Sequence, residues 1–432
     1  MEKEFDISEK IDFPSDLVIK DLEGYYIVLS PYKSNWIVLD EMEFKLFGFL
    51  KELTLIEALI SFQNGSTYSE DECIELLKRV LLKVDSVEFY NSAKVYEEEP
   101  INQIIKTIHI TTTNDCNLRC KHCYMSAGLG NNDYLDLVIV AEKIREIGAY
   151  YRSKLDVVVS GGEPLLHPDI EWFLKFIQHH FITLFTNGML INKDNITYIG
   201  ETCDVVQVSM EGISKNVFES VRGKNTYDRF LEGLNLLIQH DIRVVLAITV
   251  LPNTVGDVVE NLIPFINSLD YNNIEVRLNH QLELTGNALL HFDKGHEDSI
   301  DNIMLDLVKS LKGIGISYES KSERNIKFNN CGIGASIVFE ANGLIYPCSK
   351  YSIYYKRIDD DIKEIIKYFD SLNNISSCKD MNACQNCELR YVCAGGCKID
   401  NYRVNGEMTF PICNDQFKNE QYKRLIKDYL RE

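Results

Sequence analysis

The chain has 432 residues, with 45 Lys and Arg against 65 Asp and Glu, a formal charge of −20, and a hydrophobic fraction of 45%. That length supports two or three domains around a sizeable core, and the hydrophobic share is ordinary for a globular protein. The acidic balance argues against general nucleic-acid binding, which needs a basic face, and the absence of any run of eighteen apolar residues argues against a membrane span.

The start, MEKEFDISEKIDF, is acidic and has no apolar h-region, so it does not read as a signal peptide. Thirteen cysteines without an export signal argue against a disulfide framework. Eleven of the thirteen lie in two zones, 116–123 and 331–413, leaving only Cys73 and Cys203 outside. Such concentration favours metal over scattered core use. Most of the acidic excess is at the front: the first hundred residues hold 22 Asp or Glu against 10 Lys or Arg. A solvated acidic surface explains this most simply. An acidic module that meets a peptide of some basic character is the sharper reading.

Residues 1–95 read as a small separate domain. Tyr25–Ser30 and 36–39 are short β-type runs joined by PYKSN, whose turn residues suggest a hairpin. A helix should follow over 41–53, with Phe44, Phe47 and Leu50 on one side. Thr54 with Glu57, and Ser69 with Glu72, form capping boxes for two more helices. Ile74, Leu77, Leu81 and Val84 recur as one face of the last, where Cys73 should pack. The run Glu97-Glu98-Glu99-Pro100 suits a linker.

Residues 101–325 alternate apolar runs with helical patterns, as repeated β–α units do. Strands are expected at 104–111, 157–160, 182–186, 205–210, 243–250 and 274–278. The first leads into Thr111-Thr112-Thr113-Asn114-Asp115 and the spacing C-x3-C-x2-C at Cys116, Cys120 and Cys123. Three thiolates this close can hold three corners of an iron–sulfur cube and leave one iron without a protein ligand. Buried or zinc-binding cysteines are the alternative, but zinc sites favour C-x2-C pairs with a fourth ligand nearby. His122, the one local candidate, lies between two of the cysteines.

On this motif the chain resembles the radical S-adenosylmethionine (SAM) superfamily. The resemblance implies a partial (β/α)6 TIM-type barrel, and a [4Fe–4S] cluster on Cys116, Cys120 and Cys123 whose free iron chelates SAM. Reduction then gives a 5′-deoxyadenosyl radical that takes a hydrogen atom from the substrate. It further implies that Ser160-Gly161-Gly162-Glu163-Pro164, after the second strand, is the motif that holds the SAM amino group. Gly161, Gly162 and Glu163 are therefore candidate SAM contacts, with glycines that let the backbone come close. Thr186-Asn187-Gly188, after the third strand, is a weaker match. Ser209, in Ser209-Met210-Glu211-Gly212, resembles a serine near the SAM carboxylate or ribose, although relatives often carry Asp where Glu211 stands. Arg222 resembles an arginine that pairs the SAM carboxylate; an ordinary surface arginine is the alternative. Asn253, past the fifth strand, is a further candidate. Cys203 reads as a buried free thiol.

Residues 326–432 carry Cys331, then Gly343-x4-Cys348, then Cys384-x2-Cys387-x5-Cys393-x3-Cys397, then Cys413. This spacing resembles the SPASM domain, and a pair of zinc knuckles is the alternative. The resemblance implies two auxiliary [4Fe–4S] clusters, three in all with the SAM-binding one. Cys331, Cys348 and Cys397 would serve the first auxiliary cluster, and Cys384, Cys387, Cys393 and Cys413 the second. Cys378 could supply a fourth ligand to the first, or a substrate thiolate could take that place. The stretch 415–430 reads as a closing helix.

The hairpin and three helices at the front resemble the winged-helix leader-recognition module of ribosomal peptide biosynthesis. There an extended leader adds a strand to the hairpin. The order of module, barrel and SPASM segment resembles peptide maturases of the sactipeptide or ranthipeptide kind. This implies a precursor-peptide partner, thioether formation, an electron donor such as flavodoxin or ferredoxin, and a reducing cytoplasm. Carbon–carbon crosslinking is the nearest variant. A sulfatase-type formylglycine maturase and a non-catalytic metal scaffold are the alternatives. No general base is identifiable.

Overall fold

The computed structural model describes residues 5–90, 107–125, 127–128, 132–280, 285–292, 297–318, 327–350 and 355–431. The expected linker at 97–100 and the first residues of the expected strand, 104–106, lie outside these. The chain forms two compact units. One comprises Met1–Gln103, Ser320–Ile333 and Leu372–Glu432, and the other Ile104–Glu319 and Gly334–Ser371. The units cut across the three segments read from the sequence, because 334–371 lies with the barrel strands.

In the first unit, β1 (Val18–Leu22), β2 (Tyr25–Ser30) and β3 (Asn35–Leu39) form an antiparallel sheet in that order. The hairpin of β2 and β3 was expected; β1 was not. It is a thinly buried outer strand with a weak apolar pattern. It turns into β2 through Glu23 and Gly24, both at positive φ (56° and 84°), as in a two-residue hairpin turn.

The helices α1 (Glu41–Leu50), α2 (Leu55–Asn64) and α3 (Glu70–Ser86) follow, each opened by a capping box, at Asp40/Glu43, Thr54/Glu57 and Ser69/Glu72. Such a cap satisfies otherwise orphaned N–H groups and contributes about 1 kcal/mol. The buried stripe of α3 is Cys73, Leu76, Val80 and Val84; of the expected Ile74, Leu77, Leu81 and Val84, only Val84 lies on it. The apolar side of this helix is broad, and Cys73 packs as a small hydrophobe at its centre while Leu77 and Leu81 flank it.

The small sheet is buried on both faces. Val28, Ile37 and Leu39 pack on the helices with Leu46, Phe47 and Leu50. Ile27, Leu29, Trp36 and Val38 pack on Tyr422, Leu425 and Ile426 of the closing helix, Asp415–Arg431, and on Leu389. All five residues of β3 are buried, and Trp36, Ile37, Val38 and Leu39, which face both layers, read as a continuous apolar run.

The second unit is an α/β fold. The strands β4 (Thr107–Thr111), β5 (Asp156–Ser160), β6 (Phe181–Thr186), β7 (Val205–Met210), β8 (Val244–Thr249) and β9 (Ile274–Asn279) pair in parallel, in sequence order. Between them run α4 (Leu137–Tyr151), α5 (Ile170–Ile177), α6 (Ile196–Thr202), α7 (Lys215–Arg222), α8 (Tyr227–Gln239) and α9 (Val255–Leu269). This is the expected partial TIM-type barrel.

The sheet extends past the six expected strands. β10 (Ser317–Tyr318) joins β9 in parallel, and β11 (Ser336–Phe339) joins β4 in parallel. β12 (Leu344–Tyr346) and β13 (Lys356–Arg357) then add antiparallel. Strands of two to four residues carry too little alternation to be read from sequence. Cys203 is buried just before β7, beside the Thr202 hydroxyl, as expected of a free thiol. Among the described residues no helix is long and apolar enough to cross a membrane.

Candidate functional site

The C-terminal ends of β4 to β7 gather the candidate residues of the second unit. After β4 the chain enters the cysteine loop, and after β5 it enters Gly161-Gly162-Glu163. These two segments clasp backbone to backbone: Gly162 N–H donates to the Thr113 carbonyl (2.7 Å) and Glu163 N–H to the Asp115 carbonyl (2.8 Å). A Cβ on Gly162 would meet the Asp115 oxygen at 2.1 Å, so only glycine permits this approach.

Glu163 is fully buried. Its carboxylate accepts from the Thr186 hydroxyl (2.8 Å), Asn187 N–H (2.8 Å) and Leu165 N–H (3.2 Å). Burial pushes its carboxyl above the usual range, against these donors. Asn187, a weak signal in the sequence, is the hub of the site. Its amide Nδ2 donates to Asn117 Oδ1 (2.8 Å) and reaches the Cys116 Sγ at 3.8 Å.

Arg222, at the end of α7, is buried. It donates Nε and Nη2 to Glu211 (2.5 and 2.9 Å) and Nη1 to the Asn187 carbonyl (3.1 Å). Burial alone would raise the Glu211 carboxyl, but Arg222 and His122 hold it below its ordinary range. The same pairing keeps Arg222 protonated against burial. His122, between Cys120 and Cys123, sits with Nε2 3.3 Å from Glu211 Oε1. Burial pulls its imidazole below the ordinary value, against the pull of Glu211, and its buried Nδ1 has no partner among the described residues.

The cysteine loop is also pinned from outside. Cys123 O accepts from Asn287 N–H (2.9 Å), and Cys120 O from the Asn287 amide (3.3 Å). Ser209 is half-buried on β7, and no described hydrogen bond ties its side chain to this network. Asn253 is exposed beyond β8.

The loop therefore holds three free thiols, all half-buried, against a fixed frame. Among the described residues no three His, Cys, Asp or Glu converge to hold a single metal ion. A cube needs no such convergence, because each thiolate takes a different iron. The donor set of three soft sulfurs, without a carboxylate or imidazole directed among them, fits an iron–sulfur cluster better than zinc. Burial pushes the Cys120 thiol up to about 12, and metal binding there would displace its proton.

In the first unit six cysteines line two adjoining spaces. A cavity of about 430 Å³ is lined by Cys331, Cys393 and Cys397, with Phe328 and Phe417. A narrower apolar pocket is lined by Cys384, Cys387, Cys393 and Cys413. Cys378 lines neither; it is buried against Met381 and Cys384. Cys348 belongs to the second unit, following β12. Sequence reasoning missed Asn187 as a hub, the His122–Glu211 contact, and Lys398, which is buried among these cysteines. A titratable residue beside the motif cysteines, His122 between Cys120 and Cys123 and Lys398 directly after Cys397, was the available signal.

The sequence profile of the radical SAM superfamily matches residues 110–265. A probable GTP 3′,8-cyclase of Saccharolobus solfataricus is 28% identical over 140 residues, covering 31% of this chain and 44% of that protein. One of Methanococcus aeolicus is 26% identical over 163 residues, covering 36% and 54%. The chain thus spans about half the length of these curated relatives. The fold resembles that of Streptococcus suis SuiB bound to precursor peptide SuiA, at a TM-score of 0.56 and 13% identity, over 94% of this chain and 99% of that one. It also resembles anSMEcpe with bound AdoMet and a Cp18Cys peptide, at 0.53 and 18%, over 74% and 97%. The cysteine loop, its glycine clasp and β5 fall within the matched 110–265, so this part of the chain matches the radical SAM domain.

Proposed function

We propose that this chain is a radical SAM enzyme that modifies a ribosomally synthesised precursor peptide, forming a thioether between a cysteine sulfur and a carbon. Cys116, Cys120 and Cys123 hold a [4Fe–4S] cluster, which when bound supplies the electron that cleaves SAM and starts radical chemistry on the substrate. Gly161, Gly162 and Glu163 keep the cysteine loop in place and border the SAM amino group. Ser209 is a SAM contact. Arg222, three of whose five N–H groups go to Glu211 and Asn187, is the candidate partner of the SAM carboxylate. Cys331, Cys348 and Cys397 with Cys384, Cys387, Cys393 and Cys413 hold two auxiliary clusters. The buried Cys378, next to Cys384, remains a candidate ligand.

The observation that carries the peptide reading is the N-terminal sheet and its three helices. They share one compact unit with the cysteine-rich segment, and the likeness to SuiB extends through nearly the whole chain. SuiB is described bound to a precursor peptide. The likeness to anSMEcpe covers 74% of the chain, so the sulfatase-maturase reading leaves a quarter of it without a counterpart. The front module holds the leader peptide and thereby raises the local concentration of the segment to be modified.

The test is anaerobic incubation of the reconstituted protein with SAM, reductant and the peptide encoded beside its gene. Loss of two hydrogens per linkage, with fragmentation blocked between a cysteine and its partner residue, supports the reading. Linkages that survive when every peptide cysteine is alkylated point to carbon–carbon crosslinking instead. Formylglycine in a sulfatase peptide, with no change to the encoded peptide, contradicts it.

A further inference from the structure

Lys398 immediately follows Cys397, opens the helix Lys398–Asn405 and is fully buried. Its Nζ donates to the carbonyls of Ala394 (2.7 Å) and Gly396 (3.3 Å) and lies 3.9 Å from the Met381 Sδ. Met381 itself packs on Cys378 and Cys384. The ammonium is held tightly, since even a Cβ on Gly395 would come within 2.7 Å of it. Among the described residues no carboxylate pairs with Lys398; burial pulls its ammonium below the usual lysine range, and the groups that would offset this are Cys331, Cys378, Cys384 and Cys393 once deprotonated.

A fully buried cation without a counter-ion costs several kcal/mol. The site is balanced only when thiolates and the cluster they bind bring negative charge. The thiols around Lys398 come from both sets, Cys331 from the larger cavity and Cys384 and Cys393 from the narrower pocket. Lys398 itself lines neither space, but the residues that hold it do: Ala394 and Gly396, whose carbonyls accept from its Nζ, line the larger cavity, and Gly395, packed against it, lines the narrower pocket.

We propose that Lys398 is a fixed positive charge shared by the two auxiliary clusters, which raises their reduction potentials above that of the SAM-binding cluster. This rests on the auxiliary-cluster assignment made above. Reduction adds one electron to a cluster and moves no proton. The cluster becomes more negative by one charge, and a buried ammonium beside it favours that form. The auxiliary clusters are in this way set to accept an electron from a substrate-derived radical, and the same charge disfavours its return.

The experiment is an EPR-monitored redox titration with dithionite of the anaerobically reconstituted full-length protein, its Lys398→Met and Lys398→Gln variants, and iron analysis of each. All three are expected to hold about twelve irons per chain by cluster arithmetic. In both variants the reduction equilibrium of the auxiliary clusters should fall at least tenfold, about 59 mV for a one-electron couple. The SAM-binding cluster, in the other unit, should keep its midpoint.

Auxiliary midpoints that do not move at full iron content overturn the proposal. So does a glutamine variant that restores the wild-type value, since glutamine keeps a hydrogen-bond donor but not the charge. If a variant loads only about four irons, melting of the cluster-free chains decides: removing an unbalanced cation should raise the melting temperature of Lys398→Met above wild type, and a lower one overturns the proposal. Wild-type protein with about four irons refutes the auxiliary clusters themselves and is thereby distinct from failure at Lys398.

Discussion

The two cysteine-rich regions bury a cation in opposite ways. Beside the radical SAM loop, Arg222 is matched by Glu211, and both are tied to His122 and Asn187, so the frame is close to neutral before any cluster arrives. In the C-terminal cysteine segment, Lys398 has backbone carbonyls and no carboxylate as partners among the described residues. The first arrangement stands complete as a folded frame. On the proposed assignment, the second is completed by what the thiols bind. A loop that must present an open iron to a small molecule benefits from a preformed frame, whereas a site that stores an electron benefits from uncompensated positive charge.

Breaking the neutral frame should have the largest effect. Glu211→Gln leaves Arg222 buried and unpaired, with an expected cost of about 3–5 kcal/mol. Urea unfolding of the cluster-free chain measures it, and a cost below about 1 kcal/mol would erase the contrast with Lys398. Tyr422→Ala should cost a similar ~3–5 kcal/mol, because Tyr422 fills the contact with Ile27, Leu29, Trp36 and Val38. Hydrogen exchange should show that loss in both β2–β3 and 387–393. Loss confined to the closing helix would separate the front module from the cysteine segment.

Gly162→Ala sharpens the comparison at one backbone contact. Its Cβ cannot coexist with the Asp115 carbonyl as placed, so about 1–3 kcal/mol is lost and the cysteine loop shifts. Iron content should fall by about a third, from twelve to eight, if only the SAM-binding cluster is affected.

The smallest effect expected is a pH dependence of the radical SAM unit. His180 is held neutral, down to about 4, by burial and then by His179 and Lys154. A histidine with a depressed folded value contributes stability that is present above its unfolded value near 6.5 and lost as pH falls toward 4. His180→Gln should flatten the decline between pH 6.5 and 4 in thermal melts, while the first unit's signals keep their slope.

The features most legible in the sequence were those set by local physics. Thr54/Glu57 and Ser69/Glu72 cap their helices as their spacing predicts, and the six strands β4–β9 announce themselves as β-branched runs. What escaped depends on the far side of a contact. β1 is nearly polar, and β10 and β11 are short additions that pair only because β9 and β4 offer edges. The buried face of α3 was misplaced by about one residue because α1, α2 and the sheet wrap it broadly. At the site, the cysteine spacing and the Gly-Gly-Glu segment were visible, and the clasp between them explains the glycines. The network of Asn187, Glu211 and Arg222 was not, since its members lie far apart in the chain and meet only when β6, β7 and α7 align.

The most direct measurement is SAM cleavage by the anaerobically purified, dithionite-reduced protein beside its Cys116→Ala/Cys120→Ala/Cys123→Ala variant. The intact loop should yield 5′-deoxyadenosine and methionine in equal amounts, and the triple variant none above background. No cleavage by iron-replete protein, or cleavage that survives the loss of all three thiols, would contradict a radical SAM centre at this loop.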